Sequence, residues 1–300
     1  MNKLWQYKNH LILLIALIVV FSLCLWHMSQ SFDRLSRYPY KDETIRQKIN
    51  ARMNDEEIDY LIEYSIEPSY FRDYIDCAGF NIYHVDIYRS VSYRATNLMP
   101  EEVVSFSEKM LQNGVDMKEV LKKLYHHSSH ELNYYYLMKD PYLQNKDLVE
   151  EPEKITASVD KEHSFGIYEP YDLYSFQAFG RKNVLRKAAA LALQEAEGEF
   201  STLRLAESYC SYQQQKERYE AKESMILPGQ SDFQTGLMIR WDEKNEENIL
   251  SEFAQKAVDY GYVKTEESSL LTWRYVGKEL ALSLQENHKS FHDYQNEVKQ

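Results

Sequence analysis

Cysteine is scarce: the 300 residues hold three, Cys24, Cys77 and Cys210, too few for a disulfide framework. Cys24 falls in an apolar N-terminal run, which leaves Cys77–Cys210 as the one bridge open outside it. Positive charge is short too. Lys and Arg number 35 against 47 Asp and Glu, for a formal net charge of −12 and a pI near 5.3. Such a balance argues against a nucleic-acid partner. No internal repeat period recurs, so a solenoid is set aside. The apolar fraction of 44% is ordinary and the length suits one or two domains with a sizeable core. Tyrosine, at 25 residues, is abundant. Tyr lines carbohydrate or peptide surfaces, but a Tyr-rich core and rim is the simpler explanation.

The one long apolar run is Leu11 to Trp26, which carries no charge. With His10, His27 and Met28 it reaches the length of a short membrane span, about 17–20 residues. Lys3 and Lys8 precede it, so the positive-inside rule puts a tail over 1–10 in the cytoplasm, an anchor over 11–28 and the rest outside. Two alternatives are a signal peptide cleaved near Ser29-Gln30-Ser31 and a lipoprotein site at Cys24, where Leu23 is too large for the preceding position. All three send the remaining chain out of the cytoplasm.

Residues 29–150 read as a polar linker followed by short helices. Asn54 with Glu57 forms a capping-box pattern, Pro68-Ser69 starts a short helix, Pro100 opens another that Gly114 ends, and Asp116 with Glu119 caps a fourth. His126, His127 and His130 form a metal-like pattern, and His126 and His130 stand four apart, as zinc ligands on a helix do. No third ligand accompanies them, and a solvated helix end with His near its C-terminal dipole is the plainer reading. A polar, acidic stretch around 145–156 marks a boundary. Beyond it, Arg181–Glu197 is Ala-rich with apolar residues at helical spacing and predicts a helix. Thr202–Glu207, Leu237–Trp241 and Trp273–Val276 read as strands, Glu246–Tyr260 as an amphipathic helix and Lys278–Glu286 as a closing one. His288 and His292 then fall four apart on what reads as a surface helix.

The most distinctive stretch is Pro228-Gly229-Gln230-Ser231-Asp232-Phe233-Gln234-Thr235-Gly236-Leu237-Met238-Ile239-Arg240-Trp241, a polar Gly-bearing turn running into an apolar strand. It resembles the signature P-G-x-S-x-H-Q-T-G-L-A-x-D of the VanY-type D-alanyl-D-alanine carboxypeptidases, zinc peptidases that cut the terminal D-alanine from peptidoglycan stem peptides. Other pieces follow in the family's order. Val159-Asp160-Lys161-Glu162-His163 with Tyr168, Pro170 and Asp172-Leu173 resembles the opening V-N-K-x-H-P…Y-x-P-x-D-L. Tyr209-Cys210-Ser211-Tyr212 with Gln215 resembles S-G-Y-R-S-Y-x-x-Q, and Thr272-Trp273-Arg274-Tyr275-Val276-Gly277 resembles the end of E-P-W-H-x-R-Y-V-G.

The resemblance implies an α+β domain over 151–300, with a small, mostly antiparallel sheet and packed helices; the helical region and the transmembrane helix expected from the apolar run precede it. It also implies a zinc cofactor, yet the ligand positions carry Phe233, Arg240 and Thr272, and the general-base position carries Ser269. The Arg that helps hold the substrate carboxylate is replaced by Cys210. A catalytic zinc site needs three protein ligands and an open position for water, so no catalytic residue, metal or other cofactor is expected here. Cys210 with His163 is the only other nucleophile pairing in view, and a structural, part-buried thiol is the plainer reading. The expectation is a membrane-bound, non-catalytic homologue meeting a peptidoglycan stem peptide or a cell-wall enzyme. The alternative is a peptidase with a displaced active site. Candidate binding residues are Cys210, Ser211, Gln215, Ser231, Gln234, Thr235, Arg240, Trp273 and Arg274. Strand alternation points Arg240 into the old metal pocket beside Met238, where an internal carboxylate such as Asp232 or a ligand's acidic group must meet it.

Overall fold

The structure is a computed structural model. It describes residues 2–30, 34–265 and 269–298, with the side chains of the first helix described over 12–26. That helix, Asn2–Gln30, exposes its apolar side chains from Ile12 to Trp26. Among the described residues no helix is long and apolar enough to cross a membrane. The flanking Lys3 and Lys8, both ends of the expected anchor and Ser29-Gln30-Ser31 lie outside the described side chains.

The chain divides into two compact units, Met1–Glu108 and Lys109–Gln300. In the first, short helices gather round Leu35, Ile49, Leu61, Phe71 and Ile82. Asn54 caps Asp55–Glu63 as expected: its side chain accepts from Glu57 N at 3.0 Å, while the Glu57 carboxylate accepts from Asn54 N at 2.8 Å. Pro68 opens only a single 3-10 turn, Pro68–Tyr70.

The second unit begins ahead of the acidic boundary near 150. Asp147-Leu148 pairs in parallel with His163-Ser164, and buried His127 bonds Val149 O at 2.9 Å. The centre of this unit is a four-stranded antiparallel sheet made of Leu205–Glu207, Met238–Trp241, Thr272–Tyr275 and Tyr262–Lys264, in that order. The α+β class follows directly. One face of the sheet buries an edge-to-face aromatic row, Phe179–Trp241–Phe253–Trp273, with centroid spacings of 5.0, 5.0 and 5.2 Å. The helix Lys187–Phe200 packs on the same face through Ala189, Leu193 and Ala196, and Tyr262 Oη donates to Ala189 O at 2.8 Å.

Three expectations need correction. The helix does not start at Arg181: Arg181–Arg186 is a strand, paired in a hairpin with Leu173–Ala178. Phe179 and Gly180 both take positive φ, 53° and 75°, the backbone of the two-residue turn that suits hairpin twist. That tertiary pairing overrides the helical propensity of the Leu and Arg residues in the run. Likewise, His126 and His130 share no helix. The helix Met117–Lys123 ends before them, and Ser128 caps a new one, Ser129–Leu137, by accepting from Glu131 N. His288 and His292 are also on separate segments, since the helices are Lys278–Glu286 and Phe291–Val298.

Candidate functional site

Backbone geometry comes first. Gly229 has φ +79°, and a Cβ there would lie 2.4 Å from Ser164 Oγ, so a side chain cannot fit without displacement. The close approach lets Phe165 N donate to Gly229 O at 2.9 Å and Ser164 Oγ donate to the same oxygen at 3.0 Å. Two buried amides then join three separate motifs. Gln215 accepts from Gly229 N at 3.0 Å and donates to Gln234 Oε1 at 2.9 Å and Cys210 O at 3.1 Å. Gln234 in turn donates to Gly166 O at 2.8 Å and Tyr168 O at 2.9 Å. The opening loop, the Tyr209–Gln215 motif and the central stretch are thereby locked in register, with every amide group of the pair used.

This frame borders a cleft of about 1060 Å³. Cys210, Gln215, Ser231, Phe233, Arg240, Thr272 and Arg274 all line it, together with Met238. Other candidates have different duties. Gln234 and Thr235 are buried in the frame, where Thr235 Oγ1 donates to Asp232 O at 2.6 Å. Trp273 is in the core, its indole donating to Leu270 O at 2.8 Å. Ser269 Oγ accepts from Leu271 N at 3.1 Å and shapes a turn. Ser211 forms a capping box with Gln214 at the start of Tyr212–Glu220.

Arg240 does face the cleft beside Met238, while Leu237, Ile239 and Trp241 go to the core. Its partner differs from the one anticipated. Arg240 Nη2 lies 3.3 Å from Glu207 Oε2, and Arg218 Nη1 reaches Glu207 Oε1 at 2.5 Å, so one carboxylate is shared by two guanidiniums. Asp232 instead faces Arg274 Nη1 at 3.6 Å. Arg274 is fully buried and holds the backbone with its other nitrogens, donating to Ile155 O at 2.8 Å and Ala157 O at 2.6 Å. Burial lowers its pKa, Asp232 works against that, and Arg186 adds to the lowering. Glu207 and Arg218 were not singled out from the sequence. Arg218 sits one helical turn after Gln215, and that spacing was the available signal.

The donors present do not suit zinc. Phe233 offers none, Thr272 offers a neutral hydroxyl, and Arg240 brings a fixed positive charge to the position opposite it in the strand register. Among the described residues no three His, Cys, Asp or Glu side chains are grouped to hold a metal ion. The alternative nucleophile is also unsupported. Burial pushes the Cys210 thiol up, with Arg218 pulling back and Glu207 adding to the rise, so the thiolate is disfavoured. His163 is hydrogen-bonded to Asp160 at 2.8 Å. Cys77 and Cys210 are both free thiols.

No family model matches the chain. It is similar to carboxypeptidase YodJ of Bacillus subtilis (strain 168), at 30% identity over 194 aligned residues that take in 51% of this chain and 71% of that one. Among solved structures it is similar to the LdcB LD-carboxypeptidase, described for peptidoglycan recognition, at 27% identity over 50% of this chain and 90% of that one, with a TM-score of 0.42. VanYB, solved with D-alanine-D-alanine, matches at 18% identity over 47% and 97%, with a TM-score of 0.36. With the YodJ match covering most of that relative, the chain belongs to the VanY-type D-alanyl-D-alanine carboxypeptidase family.

Proposed function

We propose that this chain is a membrane-anchored, extracytoplasmic member of the family that binds the acidic end of a peptidoglycan stem peptide and does not hydrolyse it. The observation that carries this reading is the charge at the cleft. Arg240, at a position where the resemblance implies a zinc ligand, shares the single carboxylate of Glu207 with Arg218. Both guanidiniums line the cleft, and of the other carboxylates there, Asp232 faces Arg274, while Asp160 and Glu223 complete the charged lining. A planar guanidinium with unused donors is suited to a terminal carboxylate. The replaced ligand positions, Phe233, Arg240 and Thr272, support binding without turnover. An anchor over 11–28 is supported by the uncharged run and by Lys3 and Lys8 before it.

Calorimetric titration of the detergent-solubilised full chain with a stem pentapeptide ending in D-alanine tests the reading. A parallel assay follows D-alanine release. The expected result is saturable binding that Arg240→Ala weakens about tenfold, the loss of one charge-assisted hydrogen-bonding group, with no D-alanine released. Release of D-alanine, or equal binding by wild type and variant, overturns it.

A further inference from the structure

A second groove, about 900 Å³, opens elsewhere in the same compact unit. The segment Tyr209–Tyr212 is its partition from the cleft: Cys210 lines the cleft, whereas Tyr209, Ser211 and Tyr212 line the groove. One wall comes from residues 124–134 and the other from 167–171.

Three properties of this groove point the same way. It is aromatic: Tyr171 is 89% exposed on one wall and Tyr125 58% exposed on the other. A tyrosine ring held out in water at the lip of a groove is a platform for a flat apolar face. The groove also lacks cations, since among the described residues lining it there is no Lys or Arg. Two of its three imidazoles are engaged, His126 with Glu153 at 2.6 Å and His127 with Glu131 at 2.9 Å. Phosphate, carboxylate and nucleic acid are therefore poorly served, and two of the lining carboxylates are already matched. Last, its wall holds unmatched hydrogen-bonding groups of both kinds. The hydroxyls of Tyr168 and Tyr209 and the second oxygen of Glu153 are buried with no protein partner. Burial pushes both phenols up, so both keep their protons. Buried polar atoms without partners are uncommon, and three on one groove form a pattern.

We propose that this groove is a saccharide site, taking an uncharged chain of pyranose units. A pyranose has an apolar face for Tyr171. Its hydroxyls donate and accept, which matches a carboxylate oxygen that only accepts and phenols that do both. A cationic peptide would use the carboxylates, but His126 and His127 already hydrogen-bond two of them, Glu153 and Glu131. The site stands apart from the cleft, so its fate is separate from that of stem-peptide binding.

The test is calorimetry on the detergent-solubilised full chain with N-acetylglucosamine tetramer, with cellotetraose and a Lys-rich peptide of similar length as the other arms. Binding of either sugar is expected, and the arm that binds more tightly identifies which sugar chain is taken. Tyr171→Ala should weaken it at least tenfold, and Tyr209→Phe, which removes only a hydroxyl, about fivefold. Both variants should melt as the wild type does, and Arg240→Ala should leave sugar affinity unchanged. Binding of the peptide alone, binding of no sugar, or sugar affinity indifferent to Tyr171 and Tyr209 overturns the proposal.

Discussion

Arg240 lies 3.3 Å from Glu207 across the cleft-facing edge of the sheet, and Glu207 is itself held by Arg218 at 2.5 Å. The carboxylate is 17% exposed, while the arginines are about half exposed, at 45% and 47%. Partly exposed pairs of this kind contribute about 0–1 kcal/mol each, so the arrangement matters more for the local potential than for stability. Glu207→Gln removes the negative charge and leaves two guanidiniums facing the cleft. It should tighten binding of an anionic peptide end several-fold, opposite in sign to Arg240→Ala, and lower stability by about 1 kcal/mol. Titration of both variants, with denaturant melts alongside, reads the two effects. Loss of peptide affinity in Glu207→Gln would mean that the carboxylate is needed to orient the arginines rather than to mute them.

The amide pair Gln215–Gln234 carries a larger share of stability. Both side chains are buried, and Gln234→Leu would strand Gln215 Nε2, Gly166 O and Tyr168 O without one of their partners. Leaving a buried polar group unpaired costs about 1–3 kcal/mol. The variant should lose about 3 kcal/mol in urea unfolding. A loss below 1 kcal/mol would show that solvent reaches these groups freely.

At Gly229 the obstacle is steric and conformational at once. Gly229→Ala sets a Cβ against Ser164 Oγ and forces a residue at φ +79°, which costs on the order of 1–3 kcal/mol. Adding Ser164→Ala removes the atom in the way but not the backbone strain. The double variant should therefore recover part of the loss and not all of it. Full recovery would assign the whole cost to the clash.

Much of this was legible in the sequence. Gly229, Gln215 and Gln234 fall in motifs that resemble the family's, and the strands around Met238–Trp241 and Thr272–Tyr275 follow from alternation. The direction of Arg240 followed from the same alternation. Its partner did not, because Glu207 and Arg240 meet only through strand pairing at long range. The helix expected from Arg181 failed for a similar reason. Its first residues satisfy helical spacing, but the turn at Phe179-Gly180 pairs them with Leu173–Ala178. Buried His127 was read as solvated because its covering residue, Val149, lies far along the chain.

Placement of the chain is open to a direct check. If residues 11–28 anchor it with the tail inside, protease added to intact protoplasts should digest the domain, and an N-terminal tag should stay with the membrane fraction. Survival of the domain, or release of the tag, would reverse the topology.

The replaced ligand positions offer the most demanding test. Phe233, Arg240 and Thr272 all line one cleft, and Arg240 and Thr272 are direct partners in the strand register. In the wild type these groups provide no set of zinc donors, so zinc or a chelator should leave the melting temperature unchanged. The triple variant Phe233→His, Arg240→Asp, Thr272→His places three donors of the right chemistry on the same cleft wall. Zinc at a hundredfold excess over its dissociation constant should stabilise that variant by about 2.7 kcal/mol, since a ligand at free concentration c that binds only the folded state stabilises it by RT ln(1 + c/Kd). Differential scanning measurements with and without zinc, and elemental analysis of both proteins, separate the outcomes. One zinc per chain in the wild type, lost with its stability on chelation, would mean that other residues hold the metal. The non-catalytic reading would then fall. A zinc response confined to the triple variant would show that the fold still presents the three positions toward one point, and that the side chains alone decide against the metal.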